Sequence, residues 1–370
     1  MTPERPTSPS IKPSCTLIFP ANHPDGLRYR EEARERSEVV VLAASGPSAH
    51  GVQIEGQEVW ALPFVHEAGF ADALMALADR HNIARVYSPV AAAHGGLAQA
   101  IRECALPLRL LGRSPIAREV ARCRNLMSRA ESMAGFISST AEGGQPLPLA
   151  SIASVLQLAD GIYGESNELK IAAMIAIFAS SPEGDVVEIG SLVGRSAAVL
   201  AWLARRYDIG QVLAIDPWEP LAAQQHDSPQ LVRTVLSDDW DFSLLPKDFA
   251  INLQSVGWGQ LNYLQMRSID GHAHYCRTGT VESPEFGQTR YCGKIAVLHI
   301  DGNHDYSAVA SDTERWFPLL VPGGWLILDD YIWAHGNGPQ RVGDALLAAQ
   351  AHRIERAFVC GKALFVRLMP

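Results

Sequence analysis

Glu188, Gly190, Ser191, Gly194 and Ser196 fall in one stretch, Asp-Val-Val-Glu-Ile-Gly-Ser-Leu-Val-Gly-Arg-Ser, running from Asp185 to Ser196. The apolar pair Val186 and Val187 predicts the end of a buried parallel strand, and Ala197–Tyr207 predicts a helix. A tight glycine turn between the two lets a ligand reach backbone N–H groups at the positive end of that helix. The Gly-x-x-x-Gly spacing is neither the Gly-x-Gly-x-x-Gly of dinucleotide sites nor the Gly-x-x-x-x-Gly-Lys-Ser/Thr of phosphate loops. No lysine follows to hold a phosphate, and a carboxylate precedes the turn. The pattern points to a ligand with a cationic or hydroxyl-bearing part, not to a triphosphate. Further carboxylates close later apolar runs: Asp216 in Val-Leu-Ala-Ile-Asp-Pro-Trp, Asp301 in His-Ile-Asp-Gly-Asn-His-Asp, and Asp329 with Asp330 in Leu-Asp-Asp-Tyr.

Taken in order, Glu-Ile-Gly-Ser, Ile-Asp-Pro-Trp, His-Ile-Asp-Gly-x-His, Leu-x-Pro-Gly-Gly and Asp-Asp-Tyr resemble the motif series of class I S-adenosylmethionine-dependent methyltransferases, over roughly Leu169 to Leu368. The resemblance implies an α/β fold with a Rossmann-like seven-stranded sheet, whose last strand follows the turn Cys360-Gly361-Lys362 and runs antiparallel to the rest. It implies that Glu188, Gly190, Ser191, Gly194 and Ser196 cradle the methionine part of S-adenosylmethionine, with Glu188 toward its ammonium. Asp216 would accept hydrogen bonds from the ribose hydroxyls, since an ionised carboxylate matches a diol. Trp218 or Ile269 would pack against the adenine, with Ser268 in the same adenine segment, and Asp301 would close the cofactor set.

Asp301, Asp329 and Asp330, at the ends of adjacent strands, converge and repel one another unless protonated or bridged by a cation. Oxygen-only ligands suit Mg²⁺ or another hard divalent ion, which would hold two substrate oxygens and lower the pKa of one hydroxyl. This arrangement is similar to that of the metal-dependent sugar O-methyltransferases of the macrocin type. It implies a hydroxyl of a sugar or a glycosylated small molecule as methyl acceptor. In the competing reading Asp329 and Asp330 only cap and hydrogen-bond their loop. His304, three residues beyond Asp301, is the candidate general base, with Asp305 as the alternative. His299, inside the strand, reads as a packed core residue. Two other functions stay open: a methyltransferase working without metal through His304, and a binding or scaffold protein that keeps the fold without turnover.

These residues need elements to position them. Leu149–Leu158 and Ser166–Ser180 read as helices ahead of the first motif, with Asp160–Gly164 between them either closing over the cofactor or forming a plain turn. Trp218–Asp248 is polar and aromatic, with His226, Asp227, Asp238, Asp239 and Trp240, and reads as a substrate wall or lid. Gly271–Gly293, with His272, His274, Cys276 and Arg277, reads as a second loop above the carboxyl edge, where substrate choice is set.

The preceding residues divide into three parts. Met1–Ser14, rich in Pro, Ser and Thr, reads as a disordered lead-in. Residues 15–112 alternate short strands and helices, predicting a small accessory α/β domain on a parallel sheet. Its loops Pro20–Pro24, Ser45–Ser48 and Ser88-Pro89 fall at strand ends, where open sheets place ligands, although Pro, Gly and Ser also simply make turns. Residues 113–148 read as a helical linker with a Gly143-Gly144 hinge, followed by the methyltransferase domain at 149–370.

Composition supports this reading. The chain has 370 residues, enough for two domains, and its 47% hydrophobic and 19% charged content describes a globular protein with a sizeable core. A net charge of −9 argues against a nucleic-acid or anionic-membrane surface. No apolar run approaches the ~20 residues of a membrane span. The six cysteines form no Cys-x-x-Cys pair; Cys276 and Cys292 could bridge a loop, but free thiols in a cytoplasmic protein are favoured. A homo-oligomer is left open.

Overall fold

Two stretches of alternating strand and helix each build their own sheet. The computed structural model describes residues 15–46, 52–141, 143–230 and 240–370. The lead-in 1–14, Pro47 and Ser48 of the second loop, and Asp238 and Asp239 of the long polar loop lie outside them. By contacts the chain divides into Met1–Asn125 and Leu126–Pro370. Among the described residues no helix is long and apolar enough to cross a membrane.

In the first unit, β1 (Cys15–Ile18), β2 (Val40–Ser45), β4 (Gln57–Leu62), β5 (Ile83–Tyr87) and β6 (Arg109–Leu110) pair in parallel, and the short β3 (Gln53–Ile54) folds back antiparallel on β4. The order is β3-β4-β2-β1-β5-β6. Alternate residues face opposite sides: Leu17, Ala43 and Val86 meet Phe70, Leu74 and Leu97 on one face, while Ile18, Leu42 and Val59 meet Tyr29 on the other.

The second unit holds a seven-stranded, Rossmann-like sheet. Its strands are β7 (Asp185–Ile189), β8 (Val212–Ile215), β9 (Leu261–Leu264), β12 (Ile295–Ile300), β13 (Leu320–Leu328), β14 (Ile354–Cys360) and β15 (Ala363–Leu368), in the order β14-β15-β13-β12-β7-β8-β9. β15 is antiparallel to β13, and the central strands are parallel. β7 and β12 are buried along their whole length, which is why they read as continuous apolar runs. The chain leaves β7 toward β8 and β9 and later returns on the other side to β12 and β13. That reversal opens a crevice at the carboxyl ends of β7 and β12, the place where such sheets bind ligands.

Three helices form one covering layer: α5 (Leu149–Asp160), α6 (Glu168–Phe178) and α7 (Arg195–Tyr207). α6 is apolar nearly all round and buried from Lys170 to Phe178, as such a helix must be. The Asn167 side chain caps it by accepting the Lys170 N–H at 3.0 Å. Across the sheet, Trp316 and Phe317 anchor the opposite core.

The segment 271–293 is not a loop above the carboxyl edge. It forms helix α10 (Ser268–Thr278) and an antiparallel hairpin, β10 (Thr280–Ser283) with β11 (Gly287–Arg290). Asp185, the first residue of β7, accepts the Tyr275 hydroxyl at 2.7 Å and the N–H groups of Cys292 and Gly293. Those bonds hold the segment's end at the amino edge of the sheet, away from the crevice. None of the six cysteines is in a disulfide.

Candidate active site

The first turn of the crevice depends on a close backbone approach. Gly190 has φ +82°, and a Cβ there would lie 2.2 Å from the Asp301 carbonyl oxygen. Only glycine lets the turn after β7 press against the start of the loop after β12. Asp216, at the end of β8, braces the same turn: Oδ2 accepts the N–H groups of Ser191 and Leu192, both at 2.9 Å, and Oδ1 accepts that of Trp218 at 2.8 Å. Burial raises the Asp216 pKa against the opposing effect of these bonds. Trp218 is buried, packs on Phe249 and Tyr263, and donates from Nε1 to the Leu192 carbonyl at 2.7 Å. Its ring is thus part of the brace behind the turn.

Above this turn opens a cavity of about 1280 Å³. The ~300–1,000 Å³ typical of small-molecule pockets would leave room here for two ligands side by side. The structure brings Gly190, Ser191, Ser196, Asp216, Trp218, Ser268, Ile269, Asp301, His304, Asp305, Asp329 and Asp330 together on its wall. Glu188 and Gly194 lie outside that wall. Gly194 is the left-handed N-cap of α7, where a Cβ would strike Leu253. Glu188 is fully buried, and its Oε1 sits 2.9 Å from His299 Nδ1, its register partner on β12.

Beneath the cavity lies a buried ionic cluster that includes a residue the motif reading did not identify. Lys170 is 1% exposed, and its Nζ donates to Asp301 Oδ2 at 3.2 Å and to Asp329 Oδ2. Burial opposes the charge on Lys170, but the two carboxylates outweigh it and hold the ammonium above the ordinary lysine range. Asp329 is driven below the carboxylate range, since Lys170 overcomes its burial, and its Oδ1 also accepts the Asp330 N–H. Asp301 is pushed well above that range by burial and by Asp329. His299 Nε2 has no hydrogen-bond partner and lies 3.7 Å from Asp301 Oδ2 and 4.0 Å from Asp329 Oδ2.

The signal for Lys170 was a single lysine at the head of the run Ile-Ala-Ala-Met-Ile-Ala-Ile-Phe, which has to be buried on all sides. Also absent from the motif reading are Gln225, Asp312 and Lys362, which line the cavity. Lys362 lies 3.9 Å from Asp330 Oδ1, carried there by the β14–β15 turn.

His304 Nε2 is 3.3 Å from Asp330 Oδ2, its Nδ1 is 3.3 Å from Gln225 Nε2, and Trp333 packs edge-on to the ring. Burial lowers its pKa to about 4, so the imidazole is neutral and can accept a proton. Asp330 is raised to about 6 by burial and by Asp329. Asp305, by contrast, has its oxygens engaged: they accept the backbone N–H groups of His226 and Asp227 and contact His226 Nδ1. It ties the long polar loop to the head of helix α11 (Tyr306–Trp316). Trp240 and Phe242, from the same loop, reach the cavity wall.

Among the described residues, two groups of side chains could hold a cation: His299, Asp301 and Asp329 below, and Asp301, His304 and Asp330 at the cavity, the ligand atoms of each lying within 4.8 Å of one another. Around them, among the described residues, Glu188, Asp301, Asp329 and Asp330 are paired with two ammonium groups, those of Lys170 and Lys362, and with the imidazoles of His299 and His304. This excess of carboxylates, with the unpartnered His299 Nε2, fits a divalent cation. On the turn side, Ser191 Oγ is buried without a partner, which fits a ligand seated there.

Residues 187–331 match the model of a family described as a methyltransferase domain. Among solved structures, the chain is similar to the O-methyltransferase NovP, at 16% identity and a TM-score of 0.37, over 60% of this chain and 82% of that one. It is similar to CalS11, a calicheamicin methyltransferase, at 13% identity and a TM-score of 0.37, over 64% and 91%. It is also similar to the MycE methyltransferase in complex with Mg, SAH and mycinamycin VI, at 17% identity and a TM-score of 0.30, over 50% and 45%. No curated protein matches the chain.

Proposed function

We propose that this chain, a methyltransferase whose residues 187–331 match a methyltransferase-domain family, transfers a methyl group from S-adenosylmethionine to a hydroxyl of a sugar or glycosylated small molecule, assisted by a divalent cation such as Mg²⁺. The observation that carries the reading is the meeting of two unlike half-sites on one cavity: the braced glycine turn Gly190–Ser191 and the group Asp301, His304 and Asp330.

S-adenosylmethionine supplies an already electrophilic methyl group, so the chain's task is alignment and proton removal. Ser191 Oγ, buried and without a partner, faces the methionine part. Asp216 holds the turn in shape and keeps acceptor capacity toward a ribose hydroxyl. Ser268 and Ile269 flank the adenine side. Glu188 acts from behind, orienting His299. A divalent cation held by Asp301 and Asp330, with Asp329 drawn back toward Lys170, would lower the pKa of the substrate hydroxyl. His304, neutral and beside Asp330, receives the proton from that hydroxyl. The rings of Trp240, Phe242 and Trp333 on the cavity wall support an acceptor with apolar faces, as sugars and their aglycones have. The six cysteines, none in a disulfide, accord with a reducing, cytoplasmic setting. The amino-terminal unit is assigned an accessory role in substrate capture or assembly.

The test is transfer of labelled methyl from S-adenosylmethionine to a panel of neutral glycosides, before and after chelation and with Mg²⁺ restored. Transfer that chelation abolishes and Mg²⁺ restores supports the reading. Transfer untouched by chelation supports instead a metal-independent enzyme, in which Lys170 supplies the local positive charge. No transfer to any hydroxyl acceptor overturns the assignment.

A further inference from the structure

The buried cluster poses a problem that the cavity chemistry does not answer. Among the described residues two overlapping groups of ligands are present, and Asp301 belongs to both. The inner group, His299, Asp301 and Asp329, lies deeper. His299 is fully buried, Glu188 engages its Nδ1, and the unpartnered Nε2 faces the two carboxylates. Charges attract more strongly in such a setting than at a wet surface. An ion free to choose would settle there, out of line with the substrate side of the cavity.

Lys170 stands in the way. Its ammonium bonds Asp301 Oδ2 and Asp329 Oδ2, the oxygens that face His299. The Asn167 cap fixes the first turn of α6, and the hairpin turn at Gly361 presses on it: a Cβ at Gly361 would lie 2.4 Å from the Lys170 backbone nitrogen. The lysine is therefore held from its backbone as well as from its tip. We infer that Lys170 is a built-in cation that fills the inner group and confines an exchangeable divalent ion to the outer carboxylates, Asp301 and Asp330, at the cavity beside His304. Lys170 is thus a positioning residue. It touches neither substrate nor cofactor and acts through the two aspartates. The inference rests on the metal-assisted reading above.

The experiment follows Mn²⁺ alone, its free concentration read from the electron paramagnetic resonance signal, with circular dichroism melts confirming that each variant is folded. In the wild-type chain, Asp330→Asn is expected to weaken Mn²⁺ binding at least about tenfold, as loss of a ligand does. In Lys170→Met the ion moves inward, so adding Asp330→Asn changes affinity less than about threefold. Lys170→Gln, which keeps a polar partner for the carboxylates, guards against a failure of Lys170→Met to fold and is expected to behave the same way. Lys170→Met with Asp329→Asn removes the whole ion pair and should restore the dependence on Asp330. If Asp330→Asn weakens the Lys170 variants as much as wild type, the inference is overturned and the metal reading stands. If wild type binds no Mn²⁺, the metal reading falls and the inference with it.

Discussion

Asp216 Oδ2 accepts the backbone N–H groups of both Ser191 and Leu192 at 2.9 Å, so the carboxylate ending one strand shapes the turn that ends its neighbour. Leu192 and Trp218 both hold positive φ, +48° and +46°, which a side-chain-bearing residue adopts only under such restraint. Asp216→Ala removes three accepted bonds and is expected to cost about 2–4 kcal/mol of stability. It should also weaken S-adenosylhomocysteine binding at least about tenfold. Thermal melts and calorimetry measure the two effects. Affinity unchanged in a folded variant would detach the turn from the cofactor.

Glu188 gives the opposite expectation. Its side chain faces His299 inside the sheet layer and does not line the cavity. Glu188→Gln should leave S-adenosylhomocysteine affinity within about threefold of wild type. Glu188→Ala should destabilise the fold by about 3 kcal/mol, through a lost partner and a cavity. A large loss of affinity in the glutamine variant, with stability retained, would place its carboxylate on the ligand.

Asp305 separates an anchor from a base. It holds the His226-Asp227 loop through backbone N–H groups. Asp305→Ala should therefore raise KM for the acceptor several-fold while kcat falls less than about tenfold. A fall in kcat of about a hundredfold or more at constant KM would make Asp305 the proton acceptor instead of His304.

Asp312 gives a pH-dependent stability. Burial pushes its pKa up to about 6, while the side chain bonds Ser268, which in turn accepts from Trp316 Nε1 at 2.9 Å. The folded chain holds this proton where the unfolded chain has released it. Its contribution is therefore fully favourable below the ordinary carboxylate pKa of about 4 and is lost as pH rises through about 6, by up to about 3 kcal/mol. Asp312→Asn should melt higher than wild type at pH 7.5, and the two should converge near pH 4. A constant difference across that range would rule the titration out.

What could be read from the chain followed from burial. β7, β12 and β13 are buried on both faces, so their apolar runs and the carboxylates that end them stand out. Asp301, His304 and Asp330 reach one cavity because those strand ends are neighbours in the sheet. Lys170 was illegible for the reverse reason. It belongs to a helix, and only the packing of that helix brings it to aspartates more than a hundred residues later in the chain. The stretch after Ile269 read as a loop because His272, His274 and Arg277 leave little apolar periodicity. Its helix is largely exposed, buried at Gly271 and Tyr275, and its following hairpin is held by Asp185 and Asn262. Polar bonds between distant residues leave no periodic trace in sequence.

The central claim is that the cavity above the Gly190 turn binds the cofactor of methyl transfer. Calorimetric titration of the whole chain with S-adenosylhomocysteine, with and without Mg²⁺, tests it most directly. The structure predicts one molecule bound per chain, displaced by S-adenosylmethionine. No heat at any concentration of either compound, with or without the ion, would contradict it.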